Sequence, residues 1–162
     1  MVTSLLLSPR GGVATGWESG AVILLDGELR PTRALEPVGK SPITCLGPAA
    51  GGRWVAGRAA LEEGCGGGGQ GLIAVGSFEG GDAAAVAAFF PKEASGVNAV
   101  AATGGRVVAG LWSSRSVIID TATGDEVKLK GAHQGGVRWV EVGEEGFWTA
   151  GKDGRVNFWR LA

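Results

Sequence analysis

A five-residue motif that ends in glycine recurs four times along the chain, and it limits the possible folds more than any other feature. The copies read GVATG (12–16), RWVAG (53–57), RVVAG (106–110) and FWTAG (147–151). Their closing glycines are Gly16, Gly57, Gly110 and Gly151, so the spacings are 41, 53 and 41 residues. The longer spacing contains a glycine-rich insert, AALEEGCGGGGQG (59–71). The sequence therefore predicts four units of about 41 residues, one of which carries an insertion.

Each unit has the pattern of an antiparallel strand meander. Each unit begins with an alternating apolar segment, which starts at Val2, Ile43, Val97 or Val137. A turn connects this segment to the repeated motif, and a third apolar run follows. A fourth run follows in three units only: TRALEPV (32–38), AAAVAAFF (83–90) and EVKLK (126–130). We refer to the four runs as strands a, b, c and d. The runs are short, often β-branched and broken by glycine, which favours strands over helices.

Glycine makes up 31 of the 162 residues, well above the usual share of about 7%. Many tight turns between short strands explain this excess, because glycine adopts the positive φ angles that hairpins need. The segment DAAAVAAFF (82–90) is the exception, since its composition also suits a helix. The prediction there stays open between strand d and a helix.

Charge and cysteine content narrow the classes of partner. The formal net charge is −1, which gives no electrostatic basis for direct contact with nucleic acid or a membrane surface. Two cysteines, Cys45 and Cys65, make neither a metal framework nor a disulfide scaffold, so we expect free thiols in an intracellular compartment, cytoplasmic or nuclear. No apolar stretch approaches the length of a transmembrane helix.

Units of four strands at a period of 40-odd residues are typical of β-propeller blades. The last unit, GAHQGGVRWVEVGEEGFWTAGKDGRVNFWRLA (131–162), resembles a WD repeat, with a glycine-histidine opening and a closing DGRVNFW. The resemblance implies a buried hydrogen-bonded tetrad of His133, Thr149, Asp153 and Trp159. In it, the Trp159 indole meets Thr149, Thr149 meets His133, and Asp153 orients the imidazole.

The resemblance implies an all-β fold of about four WD-like blades in one domain, residues 1–162. The predicted blades are 1–40, 41–95 (with the insert 59–71), 96–132 and 133–162, the last without strand d. Leu25-Asp26 and Ile119-Asp120 stand where the family has its Trp-Asp dipeptide, and unit four reads Trp159-Arg160. GWESGAVILLD (16–26) and AGKDGRVNFW (150–159) are also faintly similar to G-protein β-subunit-like proteins.

No catalytic, metal or cofactor site is predicted. His133 is the single histidine, and the tetrad accounts for it without a nucleophile. GCGGGG (64–69) satisfies a dinucleotide-binding pattern by spacing alone, but a strand follows it where that site needs a helix. Trp54, Trp148 and Trp159 are predicted to be core or blade-packing residues, and Trp139 is left unassigned.

In WD-repeat proteins, the b–c turns and the loops before strand a line the face most used for binding. By this resemblance six residues are predicted to contact a protein partner: Trp17, Glu18, Arg58, Trp112, Gln134 and Lys152.

WD-repeat propellers generally close with about seven blades, and this chain has four units. Three arrangements are open: a compact four-bladed ring, a half-ring completed by a partner or a second copy, and a piece of a longer protein. The edge of unit four, which lacks strand d, is predicted to accept a strand from another chain.

The predicted function is a non-catalytic scaffold that mediates protein–protein interaction within a larger complex. One alternative is a propeller enzyme or small-ligand binder that uses the central funnel. Another is an assembly factor of a nucleic-acid-associated complex without direct nucleic-acid contact. Fold analogy carries much of this prediction, and it leaves the partner unnamed.

Overall fold

The computed structural model describes residues 1–35, 41–60, 73–78, 87–89, 91, 95–129, 131 and 133–161, and these residues form four antiparallel sheets. Each sheet is one predicted unit, and we call the sheets blades 1 to 4. Blade 1 contains β1 (Val2–Leu7), β2 (Val13–Trp17), β3 (Val22–Leu25) and β4 (Pro31–Leu35). Blade 2 contains β5 (Ile43–Ala49), β6 (Arg53–Arg58), β7 (Ile73–Ser77) and β8 (Ala87–Phe89).

Blade 3 contains β9 (Val97–Thr103), β10 (Arg106–Leu111), β11 (Ser116–Asp120) and β12 (Glu126–Leu129). Blade 4 contains β13 (Val137–Val142), β14 (Gly146–Gly151) and β15 (Val156–Arg160), so it has three strands among the described residues. Strands pair in chain order within every blade. The predicted all-β fold is therefore confirmed. Within the described residues, no helix is long and apolar enough to span a membrane.

Turn chemistry explains why the strands end where they do. Gly104 and Gly105, with φ of 54° and 79°, form the two-residue hairpin between β9 and β10, where Thr103 pairs with Arg106. Positive φ at both central residues is the condition of the hairpin turn that matches strand twist. After strand c, the Asp120 carboxylate accepts hydrogen bonds from the backbone N–H groups of Ala122 (2.8 Å) and Thr123 (3.1 Å). Such a carboxylate-capped turn starts the reversal into strand d.

One irregularity recurs at the start of strand a in all four blades. The first residue of strand a pairs with the last residue of strand b, and the pairing then skips one residue of strand a, as in a β-bulge. In blades 1 and 2 the skipped residue is a threonine, Thr3 or Thr44. Its hydroxyl donates at 3.0 Å to the carbonyl of the strand b glycine, Gly16 or Gly57. The bulge therefore gives a common reference for all four blades: residues of different blades are equivalent when they lie at the same distance from it. We call this reference the bulge frame.

The bulge frame corrects the sequence register of the fourth unit. In blades 1 to 3 the glycines Gly16, Gly57 and Gly110 pair with the residue after the skipped one. In blade 4 that position is Ala150, which pairs with Trp139, while Gly151 lies one position later and pairs with Val137. Aligning Gly151 with the other three glycines was therefore wrong by one residue.

Blades pack side by side in chain order. Strand a of each blade contacts strand a of the next, from β1 to β5, β9 and β13, and three apolar clusters fill the interfaces between consecutive blades. No comparable contact joins the described strands of blade 1 and blade 4. The molecule is therefore an open arc of four blades, and the compact four-bladed ring is wrong.

Some sequence predictions fall in parts of the chain that are described only in part. Of the segment 82–90, the structure shows strand β8 at Ala87–Phe89, which favours strand d over the helix alternative. Residues 61–71 of the insert, with Cys65 and GCGGGG, lie outside the described residues.

Candidate functional site

The tetrad of blade 4 is a continuous hydrogen-bonded chain. Trp159 Nε1 donates to Thr149 Oγ1 at 3.1 Å, and Thr149 Oγ1 lies 2.9 Å from His133 Nε2. His133 Nδ1 lies 3.1 Å from Asp153 Oδ1. The amide nitrogen of Asn157 also lies 3.2 Å from His133 Nε2, a contact that sequence reasoning missed. Asn157 faces the same side of β15 as Trp159, and this alternation of strand side chains was the available signal.

The order of donors follows from the partners at each end. The Trp159 indole can only donate, so the Thr149 oxygen accepts from it and the Thr149 hydroxyl proton is directed to His133 Nε2. That nitrogen then accepts, and Nδ1 carries the proton and donates to Asp153. Both ring nitrogens are used within the blade, and His133 is buried.

Asp153 is held as a carboxylate by the loop before strand a. Its Oδ2 accepts from the backbone N–H of Gln134 at 2.8 Å, and Oδ1 accepts from the backbone N–H of Arg155 at 3.2 Å. The hydrogen bond from Gln134, together with those from His133 and Arg155, lowers the pKa of Asp153 to about 2. Asp153 thereby ties the b–c turn of blade 4 to the loop that precedes β13.

Gly151 is required by the tetrad. A Cβ at this position would lie 2.4 Å from His133 Nδ1 and 2.7 Å from Asp153 Oδ1. The glycine therefore leaves space for the imidazole of its own blade. Gly16, Gly57 and Gly110 instead leave space for a residue of the next blade. What the tetrad does physically is fix strand register and the two loops at this end of the blade, because a fully satisfied buried network specifies one arrangement.

Blade 1 has a reduced counterpart of the tetrad. Thr15 occupies the position of Thr149 in the bulge frame, and its Oγ1 accepts from Trp17 Nε1 at 2.9 Å. The Thr15 hydroxyl donates to the carbonyl of Ile23 at 3.1 Å. Trp17 ends strand b and is half-buried, so part of its surface is used by the blade itself.

Four of the predicted contact residues are exposed at the b–c turns or in the loops before strand a. The residue after strand b bonds to the loop before strand a in blades 1, 3 and 4, through the backbone N–H of Glu18, Trp112 and Lys152 to the carbonyls of Met1, Gly96 and Gly136. These three residues therefore occupy one repeated position at the same edge of the arc. We call the exposed set Glu18, Trp112, Gln134 and Lys152 the turn surface.

Trp112 is the large apolar side chain of the turn surface. Its side chain is 50% exposed, and its indole ring lies against the backbone of Gly96, where a Cβ would be 2.8 Å from Cδ2. The backbone N–H of Trp112 also bonds to the Gly96 carbonyl at 3.0 Å. The Trp112 ring therefore packs against Gly96 and is also half-exposed to solvent.

Arg58 does not belong to the turn surface, and its predicted role as a partner contact is wrong. The residue is completely buried between blades 1 and 2. Its Nε donates to the carbonyl of Ser41 at 2.9 Å and its Nη2 to the carbonyl of Gly20 at 3.4 Å. Burial lowers the pKa of the guanidinium. Arg58 fills the same frame position as Leu111, at the end of strand b, where both side chains point toward the preceding blade.

The remaining tryptophans divide between interior and surface. Trp54 is fully buried, and its ring fills the space over Gly76, where a Cβ would be 2.1 Å from Cζ2. Trp159 is half-buried and stacks on Phe147 with ring centroids 6.2 Å apart. Trp148 is 38% exposed, because its side of β14 faces away from blade 3, so it is not a core residue but packs within its own blade against Phe158. Trp139 lies on the same side and is also exposed.

Cys45 is a free thiol, and burial raises its pKa to about 12. A thiol at that pKa remains protonated at neutral pH and is a poor nucleophile.

Comparison with known proteins gives structural similarity without sequence similarity. No protein-family profile matches the chain, and no curated protein matches it in sequence. The computationally designed Ika4 protein superposes with a TM-score of 0.75 at 20% identity, over 100% of this chain and 92% of that chain.

Two further structures are WD40 and propeller domains. The WD40 repeats of RRP9 superpose with a TM-score of 0.76 at 19% identity, over 99% of this chain and 48% of that chain. The β-propeller domain of Cps50 (Swd1) from Myceliophteria thermophila gives a TM-score of 0.77 at 18% identity, over 100% of this chain and 51% of that chain. This chain therefore spans about half the length of these two propeller chains, and it has the fold of a WD40-type β-propeller, in the form of an open arc of four blades.

Proposed function

We propose that this chain is a non-catalytic scaffold that binds another protein within a larger complex through its turn surface. The observation that carries the proposal is Trp112, a half-exposed indole held in place by Gly96. Tryptophan is among the residues most often found at the energetic centre of protein interfaces. A side chain that is already ordered loses less conformational entropy on binding, which strengthens its contribution.

The other residues of the turn surface suit a polar rim. Lys152 and Gln134 are exposed in blade 4, and Glu18 is exposed in blade 1, where its carboxylate lies 3.7 Å from the terminal amine of Met1. Charges of both signs on the same edge of the arc as the indole favour specific over nonspecific binding. The WD40 and propeller structures that resemble this chain support the same class of function by analogy of fold.

The test uses the full chain as bait in a cell extract, with bound proteins quantified by mass spectrometry. Trp112→Ala should reduce the strongest specific partner at least tenfold, because interface tryptophans commonly contribute about 2 kcal/mol or more. Leu29→Ala is the matched control, since Leu29 is 65% exposed in the c–d turn of blade 1, at the opposite edge of the arc. Unchanged capture by Trp112→Ala and by a Gln134→Ala/Lys152→Ala variant would contradict the proposal.

A further inference from the structure

The three interfaces inside the arc share one contact. A glycine in strand b of each blade lies under a β-branched residue that begins strand a of the next blade. A Cβ on the glycine would lie 2.5 Å from a side-chain methyl group of that residue, which no packed interface tolerates. The three β-branched residues are 0% exposed. The pairs are Gly16 with Ile43, Gly57 with Val97, and Gly110 with Val137.

The face of blade 1 that points away from blade 2, which we call its open face, carries the β-branched residue of this contact. Val2 has the position of Ile43, Val97 and Val137 in the bulge frame, yet it is 40% exposed. Leu5 and Leu7 lie on the same face and are 66% and 77% exposed. In blade 3 the residue that corresponds to Leu5 is Val100, which is buried against blade 2. Blade 1 therefore presents the residue pattern of an interior blade interface, without the blade that would cover it.

The open face of blade 4 lacks the glycine half of the contact. Ala150 stands at the glycine position, so a Cβ is present where the interior interfaces have none. Opposite Ala150 in strand a is Trp139, which is 44% exposed. The residues opposite the interior glycines are small: Ser4, Cys45 and Ala99.

The rest of that face is also unlike an interior interface. Trp148 and Phe158 form a cross-strand aromatic pair with ring centroids 4.7 Å apart, and Glu141 beside them is exposed. The matching positions of blade 3 are Val108, Ile118 and Ala101, which pack against blade 4. Blade 1 of a second copy, placed in the register of the interior blades, would direct Val2 into Ala150 and Trp139.

We infer that the open face of blade 1 docks onto a propeller blade that is not one of these four, and that the side chains of blade 4 do not fit there. The matching blade carries a glycine in strand b with a small residue opposite it in strand a, and its face is apolar. The propeller chains RRP9 and Cps50 are about twice as long as this chain, which is consistent with further blades beyond the arc. The inference concerns the end faces and holds independently of the turn surface.

The experiment gives blade 4 the strand b glycine and the small strand a residue that the matching blade is expected to carry. A second copy of the chain then serves as the probe. Wild type, Trp139→Ala/Ala150→Gly, and the same double variant with Val2→Lys are compared by sedimentation velocity over a concentration series. The double variant should self-associate at least tenfold more tightly than wild type, and Val2→Lys should abolish that gain. Ala150→Gly alone removes one methyl group and should give a smaller gain in the same direction.

Two results overturn the inference. One is a wild-type chain that associates as tightly as the double variant and is dissociated by Val2→Lys, since a second copy would then already fit. The other is the absence of any gain in either Ala150→Gly or the double variant, when circular dichroism and urea unfolding show that at least Ala150→Gly is folded like wild type. In that case the glycine contact does not select the partner of blade 1.

Discussion

One face of blade 3 is covered by blade 4, and the corresponding face of blade 4 is open. Strands a and b pair in the same way in both blades, but the side chains on the two faces differ in size. At the interface, Gly110 and Ala99 leave a space that Val137 fills. At the open face, Ala150 and Trp139 occupy the same two positions. The pairing of strands a and b is common to both, so the backbone frame alone does not decide whether another blade can pack there. What differs between the two faces at these positions is the size of the side chains.

The comparison also separates two kinds of glycine that look alike in the sequence. Gly110 is small because the next blade approaches it, whereas Gly151 is small because His133 lies over it. One contact is between blades and the other is within a blade. Substitutions at these places should therefore differ in cost according to whether the position is covered.

The largest effect is expected from closing the space at Gly110. Gly110→Val should destabilise the chain by about 3 kcal/mol, because its Cβ alone would lie 2.5 Å from Val137 Cγ1. Ala150→Val places the same side chain at the same frame position on the open face, and it should change stability by less than about 0.5 kcal/mol. Urea unfolding measures both. Equal costs for the two substitutions would show that the covered and open positions do not differ as described.

A smaller difference is expected between the two threonines of strand b. Thr149→Val should cost about 2 kcal/mol, since it removes the acceptor of the Trp159 indole and the donor to His133 in a fully buried site. Thr15→Val should cost about 1 kcal/mol or less, because the indole of Trp17 is half-exposed and can bond to water instead. If denaturant midpoints fall equally for both variants, the tetrad adds nothing beyond the reduced pair in blade 1.

The smallest effect is expected from acid. The pKa of Asp153 is lowered to about 2 by the backbone hydrogen bond from Gln134 and by His133 and Arg155. The Asp153 carboxylate therefore stabilises the folded state fully above the unfolded pKa of about 4, and this stabilisation is lost as the pH falls toward 2. The stability gap between wild type and Asp153→Asn should narrow between pH 6 and pH 2.5 in urea titrations. A gap that stays constant over this range would remove Asp153 from the network.

The sequence was sufficient for the strand order, because the 41-residue spacing and the alternating segments report elements that each blade needs on its own. It was also sufficient to select the four tetrad residues, since their offsets match a family pattern. It failed at Arg58, where a position one residue along strand b decides between a buried interblade side chain and an exposed turn. A turn location predicted to within one residue cannot make that distinction.

The register of the fourth unit failed for a related reason. Matching glycine to glycine aligned Gly151 with Gly110, although the fold repeats a cross-strand pairing and not a residue type. Sequence also could not choose between the core and blade-packing roles of Trp148, because its exposure depends on whether another blade covers the outer face of blade 4, and not on blade 4 itself. Neither signal is contained in a single unit of the repeat.

The central claim is that a glycine in one blade exists to admit a β-branched residue of the next, and a double-mutant cycle on Gly110 and Val137 tests it directly. Gly110→Ala should cost about 2 kcal/mol in wild type but less in the Val137→Ala background, where the methyl group 2.5 Å away is gone and only the Cβ of residue 137, 2.8 Å away, remains close. The predicted coupling is about 1 kcal/mol or more by urea unfolding. Costs that add within about 0.3 kcal/mol would contradict the claim.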